Sequence, residues 1–406
     1  MNDIAETTEP EAGLRPVIRI MPGRQKRVRA GHPWVFSNEI EMTPEAKALP
    51  QGTVVTLVDA SNSAVGTAIF NPYPLISARL LPAEANADID AKWLAGRITH
   101  AAVLRDRMYD KPFYRLIHAE ADGLPGLIVD RYGDVCVVQL NTAGMDFLAG
   151  DIVAALQQTI SPVGIVVQRE GAARRQEGIL DADTEIIGDV PSPAPLAENG
   201  TNFLADLSDG QKTGWFYDHR ENRARVAALA SGRRVADVYS YLGGFGIQAA
   251  AAGATDVLCI DRSQPALDLA TRTAAEAGLG DICRFERAEA FAALEELSTA
   301  KEKFGVVVVD PPAFVKSKKD LKPGARGYRK LARLSTKIVE RGGILCTASC
   351  SHHMDMALFI EQISRGIHDA GRSARILHVG GAGPDHPVHP NLPESAYLKC
   401  LFLQVD

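Results

Sequence analysis

From Val17 to about residue 88 the chain carries short apolar runs, VIRI, WVFSNEI, TVVTLVDA, SAVGTAIF and ISARLL, punctuated by turn residues at PGR and at Gln51-Gly52. Strands at that spacing predict a small β-barrel or sandwich. Ile89, Trp93, Leu94, Ile98, Ala101 and Leu104 then recur near helical spacing, which predicts a helix over 89–109 leading into a second unit. RLIHAEAD, LIVDRYG, VCVVQLN, a helix from Met145 to Thr159 and GIVVQ make that unit a small α+β module. The proline-rich VPSPAPL, Val190 to Leu196, reads as a connector. From about Phe203 strands and helices alternate: VADVYS, VLCIDR, CRFERA, VVVVD and ILCTASC with helices between, then RILHVG and YLKCLFLQV. Alternation of that kind predicts an α/β, doubly wound, Rossmann-like parallel sheet. The expected organisation is therefore a disordered tail over 1–14, a β-rich domain over 15–88, an α+β middle domain over 89–199 and an α/β domain over 200–406.

The run Val306 to Val309, all valine, predicts a strand buried on both faces, because β-branched side chains pack well there and no polar face is spared. Its carboxyl end is the ligand edge of such a sheet. Asp310 stands there, followed by Pro311 and Pro312, which donate no N–H and hold φ fixed. A rigid turn of this kind would hold an acid beside a planar substrate; the plainer reading is a strand followed by a proline turn.

Composition narrows the class. The chain is 46% hydrophobic, 23% charged and 6% aromatic, as ordinary globular proteins are, and no apolar run approaches a membrane span. Its acidic start, MNDIAETTEP, lacks the apolar core of a signal peptide, so a cytoplasmic location is expected. Six cysteines form no CxxC pair, which suits a reducing compartment and predicts neither a disulfide framework nor a metal site. A net charge of −6 means that nucleic acid would have to be met by local patches. Arg24, Lys26, Arg27 and Arg29 form one; Lys316, Lys318 and Lys319, directly after the proline turn, begin another. Either run can equally be a solvated face.

Asp237-Val-Tyr-Ser240-Tyr-Leu-Gly243-Gly244-Phe245-Gly246 ends the first strand of the α/β sheet and opens a helix. Glycines there permit φ > 0 and close approach of a ligand, or serve helix packing. Asp261, next to Arg262 at the end of the second strand, would bond ribose hydroxyls in dinucleotide and adenosylmethionine sites alike. Asp237 separates the two, since an acid before the glycines repels a pyrophosphate and can hold the ammonium of a methionine moiety. S-adenosylmethionine is thus favoured over NAD. Glu289, after the third strand, is either an adenine contact or a solvated loop acid.

Taken together, GQKTGWFYDHRENR (Gly210 to Arg223), DVYSYLGGFG, DPPAF, SCS (Ser349 to Ser351) and GHPWVFSNEI (Gly31 to Ile40) resemble the bacterial three-domain methyltransferases of large-subunit ribosomal RNA. The resemblance runs from about Arg15 to the end. It implies a PUA RNA-binding domain over 15–88, a small middle domain and a class I methyltransferase domain, with 5-methylcytosine as product. It also implies 23S ribosomal RNA, or a large-subunit precursor, as partner. On that resemblance Cys350 is the nucleophile, Asp310 the acid of the DPP motif, and the glycine-rich turn the S-adenosylmethionine site; Pro311, Pro312 and Phe314 would lie against the base. Ala313 stands where better-known RNA cytosine methyltransferases often carry a second, product-releasing cysteine. His352 and His353, beside Cys350, are candidates to relay protons, and Asp385-His386-Pro387 lies in a late loop that can reach the ligand edge. Carbon 5 of cytosine is a poor nucleophile, so a thiolate must first add to carbon 6. Two other readings remain: a nitrogen methyltransferase of adenine or guanine, which needs no thiol, and an RNA-binding assembly factor with a degenerate pocket. A dehydrogenase comes after both.

Overall fold

The computed structural model describes residues 15–208, 210 and 213–406; the tail expected over 1–14 and Gln211 and Lys212 of the GQKTG segment lie outside it. The N-terminal runs form a five-stranded sheet in the order Val17–Arg19, Thr53–Val58, Ala64–Phe70, Ile76–Leu80, Trp34–Phe36. Its core gathers Ile18, Ile20, Val35, Val55, Leu57, Ala68 and Phe70. WVFSNEI is strand only to Phe36; Ser37–Glu39 turn into a short 3-10 helix because the Glu39 carboxylate accepts the Phe36 N–H at 2.9 Å.

The predicted bridging helix spans Ala91–Asp106, started by Asp90, whose carboxylate accepts the Trp93 N–H at 2.8 Å. Leu94, Ile98 and Ala101 are buried from it, whereas Leu104 stays exposed. The middle sheet runs Ala182–Gly188, Gly164–Arg169, Val135–Leu140, Leu127–Tyr132, Phe113–His118. The single helix expected from Met145 to Thr159 is two, Ala143–Phe147 and Ala149–Thr159.

The proline-rich connector is more structured than its composition implies. Ala194–Glu198 pairs with Thr201–Ala205 in a hairpin, and Phe203, Ala205 and Leu196 are buried in the core of the following domain. Buried Glu198 accepts from Trp215 Nε1 at 3.0 Å, Arg223 Nε at 2.5 Å and Gln248 Nε2 at 2.9 Å, so it ties the hairpin to the segment before the first α/β strand and to the glycine-rich helix.

The C-terminal sheet has seven strands in the order Cys283–Arg287, Asp256–Asp261, Arg234–Val238, Phe304–Val309, Val339–Ser349, Lys399–Val405, Ala374–Gly380. The first five are parallel, and Lys399–Val405 runs antiparallel to the neighbour on each side of it. Phe304–Val309 is buried at every position, as four consecutive valines require. Strand order reverses between Arg234–Val238 and Phe304–Val309, and ligands of open α/β sheets bind outside the carboxyl ends at such a point. Asp237 and Asp310 flank it. Among the described residues no helix is long and apolar enough to cross a membrane.

Candidate active site

The turn after Arg234–Val238 is held in an unusual backbone. Tyr239 (φ 67°) and Tyr241 (φ 50°) are left-handed without being glycine, and Gly243 (φ 71°) opens the helix Gly244–Ala251. Strain of this kind persists where surroundings over-determine it, as at ligand sites. The glycines divide their labour. Gly243 supplies the conformation, whereas a Cβ on Gly246 would meet Cys259 Sγ at 2.4 Å, and one on Gly244 would stand 3.0 Å from Trp215. Packing therefore accounts for the latter two. Phe245 is buried and meets His219 edge to face, with ring centroids 5.3 Å apart.

Asp237 is buried; its Oδ2 accepts the Gly246 N–H at 2.9 Å, but Oδ1 has no partner. Ser240 Oγ, also buried, has none either. Buried polar atoms are nearly always hydrogen-bonded, so two orphans in one turn mark where a ligand's donors belong. Burial, with smaller contributions from Asp310 and Asp261, pushes the Asp237 carboxyl up to about 7 against the effect of the Gly246 N–H. A cation placed there would relieve that repulsion. Asp261 accepts from the Tyr241 N–H and the Ser263 N–H, both at 2.9 Å, which fixes its carboxylate at the strand end with lone pairs to spare. Arg262 is exposed. Glu289 is exposed too and caps the helix Ala290–Thr299, accepting the Ala292 N–H at 3.0 Å.

Asp310 stands half-buried at the tip of its strand with His219 Nε2 3.2 Å from its Oδ2. Burial alone would lower the His219 pKa; the Asp310 carboxylate more than reverses this and lifts it to about 9. The other ring nitrogen faces Asn222 Nδ2 at 3.1 Å, and that amide nitrogen also donates to the Gly381 carbonyl at 3.0 Å. A charged ring donates from both nitrogens, so protonation of His219 carries with it a turn of the Asn222 amide. Pro311 is buried and Pro312 exposed beside Asp310. Phe314 packs on Tyr328 and Phe291, with centroids 4.8 Å and 6.2 Å away.

Cys350 follows the strand Val339–Ser349 and is half-buried, while the other five cysteines are buried. The serines beside it are structural fasteners. Ser349 Oγ donates to Tyr328 Oη at 2.8 Å, Ser351 Oγ lies 2.9 Å from the same hydroxyl, and the Val315 N–H donates to Ser351 Oγ at 3.2 Å. The Cys350 turn is thereby tied to the segment that leaves Asp310. Lys399, facing Ser349 in the antiparallel ladder, is 6% exposed and gives its Nζ to the carbonyls of Ser351 at 3.0 Å and Tyr397 at 2.7 Å. The ammonium therefore lies beside Cys350. Burial lowers the lysine's pKa; Cys350 and Asp355 act against that.

His352 packs on Tyr397 with centroids 5.7 Å apart, and His353 is exposed. Asp385 is buried, accepts the Arg115 N–H at 3.0 Å and bonds His386 Nδ1 at 2.9 Å, which holds this loop on the middle domain. Of the first basic run, Arg27 pairs with Glu39 at 2.6 Å and Arg29 with Asp59 at 2.8 Å. Lys316, Lys318 and Lys319 are exposed. Among the described residues no cluster of His, Cys, Asp or Glu is placed to hold a metal ion.

Residues 18–82 match the model of a PUA-like domain, and residues 175–404 that of the S-adenosylmethionine-dependent methyltransferases. A "Ribosomal RNA large subunit methyltransferase I" of Pseudoalteromonas atlantica is 35% identical over 392 residues, 96% of this chain and 99% of its own length. That of Aeromonas salmonicida is 36% identical over 393 residues, covering 95% and 98%. The chain belongs to this methyltransferase family. Its cofactor is S-adenosylmethionine. Two solved structures share the fold across 96% of this chain and all of theirs: a methyltransferase complexed with SAH (TM-score 0.81, 19% identity) and a SAM-dependent methyltransferase from Streptococcus mutans (TM-score 0.80, 20% identity).

His219, Lys399 and Glu198 escaped the sequence reading. His219 sits inside the quoted GQKTGWFYDHRENR motif, but nothing local names Asp310 as its partner. Lys399 carried a usable signal, a lone cation in the largely apolar YLKCLFLQV, since a strand buried on both faces admits lysine only where something compensates it.

Proposed function

We propose that this methyltransferase acts on large-subunit ribosomal RNA and methylates carbon 5 of a cytosine through a covalent adduct on Cys350. The observation that carries the reading is the half-buried Cys350 set beside the buried Lys399 ammonium. A nearby cation favours thiolate, the form that attacks. The relatives' names supply the RNA class.

Cys350 loses its proton to solvent, and Sγ adds to carbon 6 of the cytosine while ring nitrogen 3 takes up a proton, leaving an enamine with its electrons at carbon 5. Asp310 is the group that delivers this proton: it is paired with a proton-bearing His219, and a proton can pass along that 3.2 Å contact to the carboxyl and on to the ring. S-adenosylmethionine supplies the electrophilic methyl, which carbon 5 takes from the sulfonium to leave S-adenosylhomocysteine. Asp237 would hold the methionine ammonium, Ser240 would accept or donate beside it, and Asp261 would take the ribose hydroxyls. Loss of the carbon 5 proton to a base then expels Cys350 as thiolate, while the nitrogen 3 proton returns to Asp310, and the neutral product is freed. Nucleoside mass spectrometry of ribosomal RNA treated with the wild-type protein should show 5-methylcytidine, and Cys350→Ala should make none. N-methylated adenosine or guanosine in place of 5-methylcytidine would overturn the reading.

A further inference from the structure

A cavity of about 390 Å³ opens where the three domains meet, separate from the residues just assigned to the cofactor. All three domains contribute rings to its walls. Trp34 enters from the PUA-like domain, His118 from the middle domain, and Phe216, Tyr217, His352 and Tyr397 from the methyltransferase domain. His118 and His352 flank Tyr397, with centroids 6.3 Å and 5.7 Å away.

Apart from the exposed Glu394, the charges in the lining are answered by the protein itself. Arg115 is held in a two-pronged pair by Asp130, at 2.7 Å for each prong. Glu120 accepts from Trp34 Nε1 at 2.8 Å and from Arg79 at 2.9 Å, and Asp218 accepts from Tyr397 Oη at 2.6 Å. Burial, reinforced by Arg115, lowers the His118 pKa to about 2, so its ring is neutral. Among the described residues the cavity thus offers no unpaired cation to a phosphate. It suits a flat, uncharged group that stacks, and the remaining lone pairs of Glu120, whose Oε1 alone takes the Trp34 and Arg79 donors, suit one bearing an N–H edge.

Position selects among such groups. His352 lies two residues past Cys350, and Asp218 adjoins the His219 that pairs with Asp310, yet neither Cys350 nor Asp310 lines the cavity. We propose that this cavity binds an unstacked nucleobase carrying an exocyclic amine, one that flanks the reacting base in an RNA strand running from the PUA-like domain to Cys350. The inference rests on the RNA reading above and extends it to a second base. Base–aromatic stacking in single-stranded recognition is sequence-tolerant and needs no phosphate contact.

Binding of a large-subunit ribosomal RNA transcript tests this, measured over a range of salt concentrations for the full chain. Ala121→Trp fills the cavity while removing no contact, and His352→Ala removes one wall. Each should weaken RNA binding by about 5- to 150-fold, the range for loss of one stacked base, without altering the slope of log affinity against log salt, since no phosphate contact is lost. Trp34→Phe should recover most of what Trp34→Ala loses. An S-adenosylmethionine titration reports whether each variant is folded, and the identity of the methylated nucleoside reports separately on the cytosine reading. Wild-type RNA affinity in both Ala121→Trp and His352→Ala would overturn the proposal, as would a loss confined to the salt slope.

Discussion

His219 Nε2 and Asp310 Oδ2 stand 3.2 Å apart, joining the segment before the first α/β strand to the tip of the fourth. The carboxylate raises the imidazole from 6.5 to about 9 despite burial. Because the folded value lies above the ordinary one, the pairing contributes stability that is complete below about 6.5 and is lost as pH rises through about 9. The same proton is the one the proposed reaction uses. His219→Gln, which keeps a donor near Asp310 but cannot carry charge, should lower kcat by roughly 10²–10⁴-fold. It should also abolish the alkaline limb of the kcat profile. A variant that keeps both the rate and the limb would show that the pair is structural only.

Asp237 reverses the usual carboxylate behaviour. Its folded value of about 7 lies above the ordinary 3.8, so in the absence of cofactor its contribution to stability is present below about 3.8 and is lost as pH rises through about 7. An ammonium needs the ionised form. Affinity for S-adenosylmethionine should therefore rise with pH and level off above about 7, falling roughly tenfold for each unit below it. Calorimetry between acidic and mildly alkaline pH checks the profile, and Asp237→Asn should bind weakly with a flat one. A flat wild-type profile would remove Asp237 from the ammonium site.

Lys399 gives a test of thiol activation that needs no RNA. The rate of iodoacetamide alkylation at Cys350, followed by peptide mass spectrometry, reports its thiolate fraction as pH changes. Tyr328, Tyr397 and Asp355 are among the groups that face Cys350 or Lys399. Lys399→Met should move the alkylation midpoint to higher pH, whereas Lys399→Arg should hold it near wild type. If Lys399→Met alkylates as wild type does, the buried ammonium serves the Ser351 and Tyr397 carbonyls alone.

What the sequence disclosed and what it hid follow from the range of the forces involved. The α/β sheet was legible because a run of four valines can be buried on both faces and little else, and because Asp237, Asp261 and Asp310 stand at strand ends that the alternation itself locates. The glycine-rich turn was legible as a turn, although a sequence cannot separate the conformational need of Gly243 from the close packing of Gly246 against Cys259. Long-range pairing was illegible. Glu198 looked like the residue after a proline-rich connector, yet it is the buried acceptor for Trp215, Arg223 and Gln248. Asp385-His386 looked like a loop able to reach the ligand edge, and nothing local disclosed that Asp385 accepts the Arg115 N–H of the middle domain. Charge counting along the chain likewise missed that Glu39 and Asp59 come back to neutralise Arg27 and Arg29.

That neutralisation separates the two basic runs as RNA contacts. A cation already held by a carboxylate must break that pair before it can serve a phosphate, so Arg27 and Arg29 have less to offer than Lys316, Lys318 and Lys319, which are exposed directly beyond the Asp310 turn. Replacing those three lysines by Gln should weaken ribosomal RNA binding and flatten its salt dependence by about 0.7 log units per lost contact on a single strand. Replacing Arg27 and Arg29 by Gln should instead show mainly as a lower melting temperature, because Glu39 and Asp59 lose the cations that face them. Filter binding across a salt series, with melting curves on the same variants, distinguishes these outcomes. If the arginine pair flattens the salt slope as much as the lysine triple does, the PUA-like domain grips phosphate through residues that exchange their carboxylates for RNA, and capture of the strand is shared between the two domains.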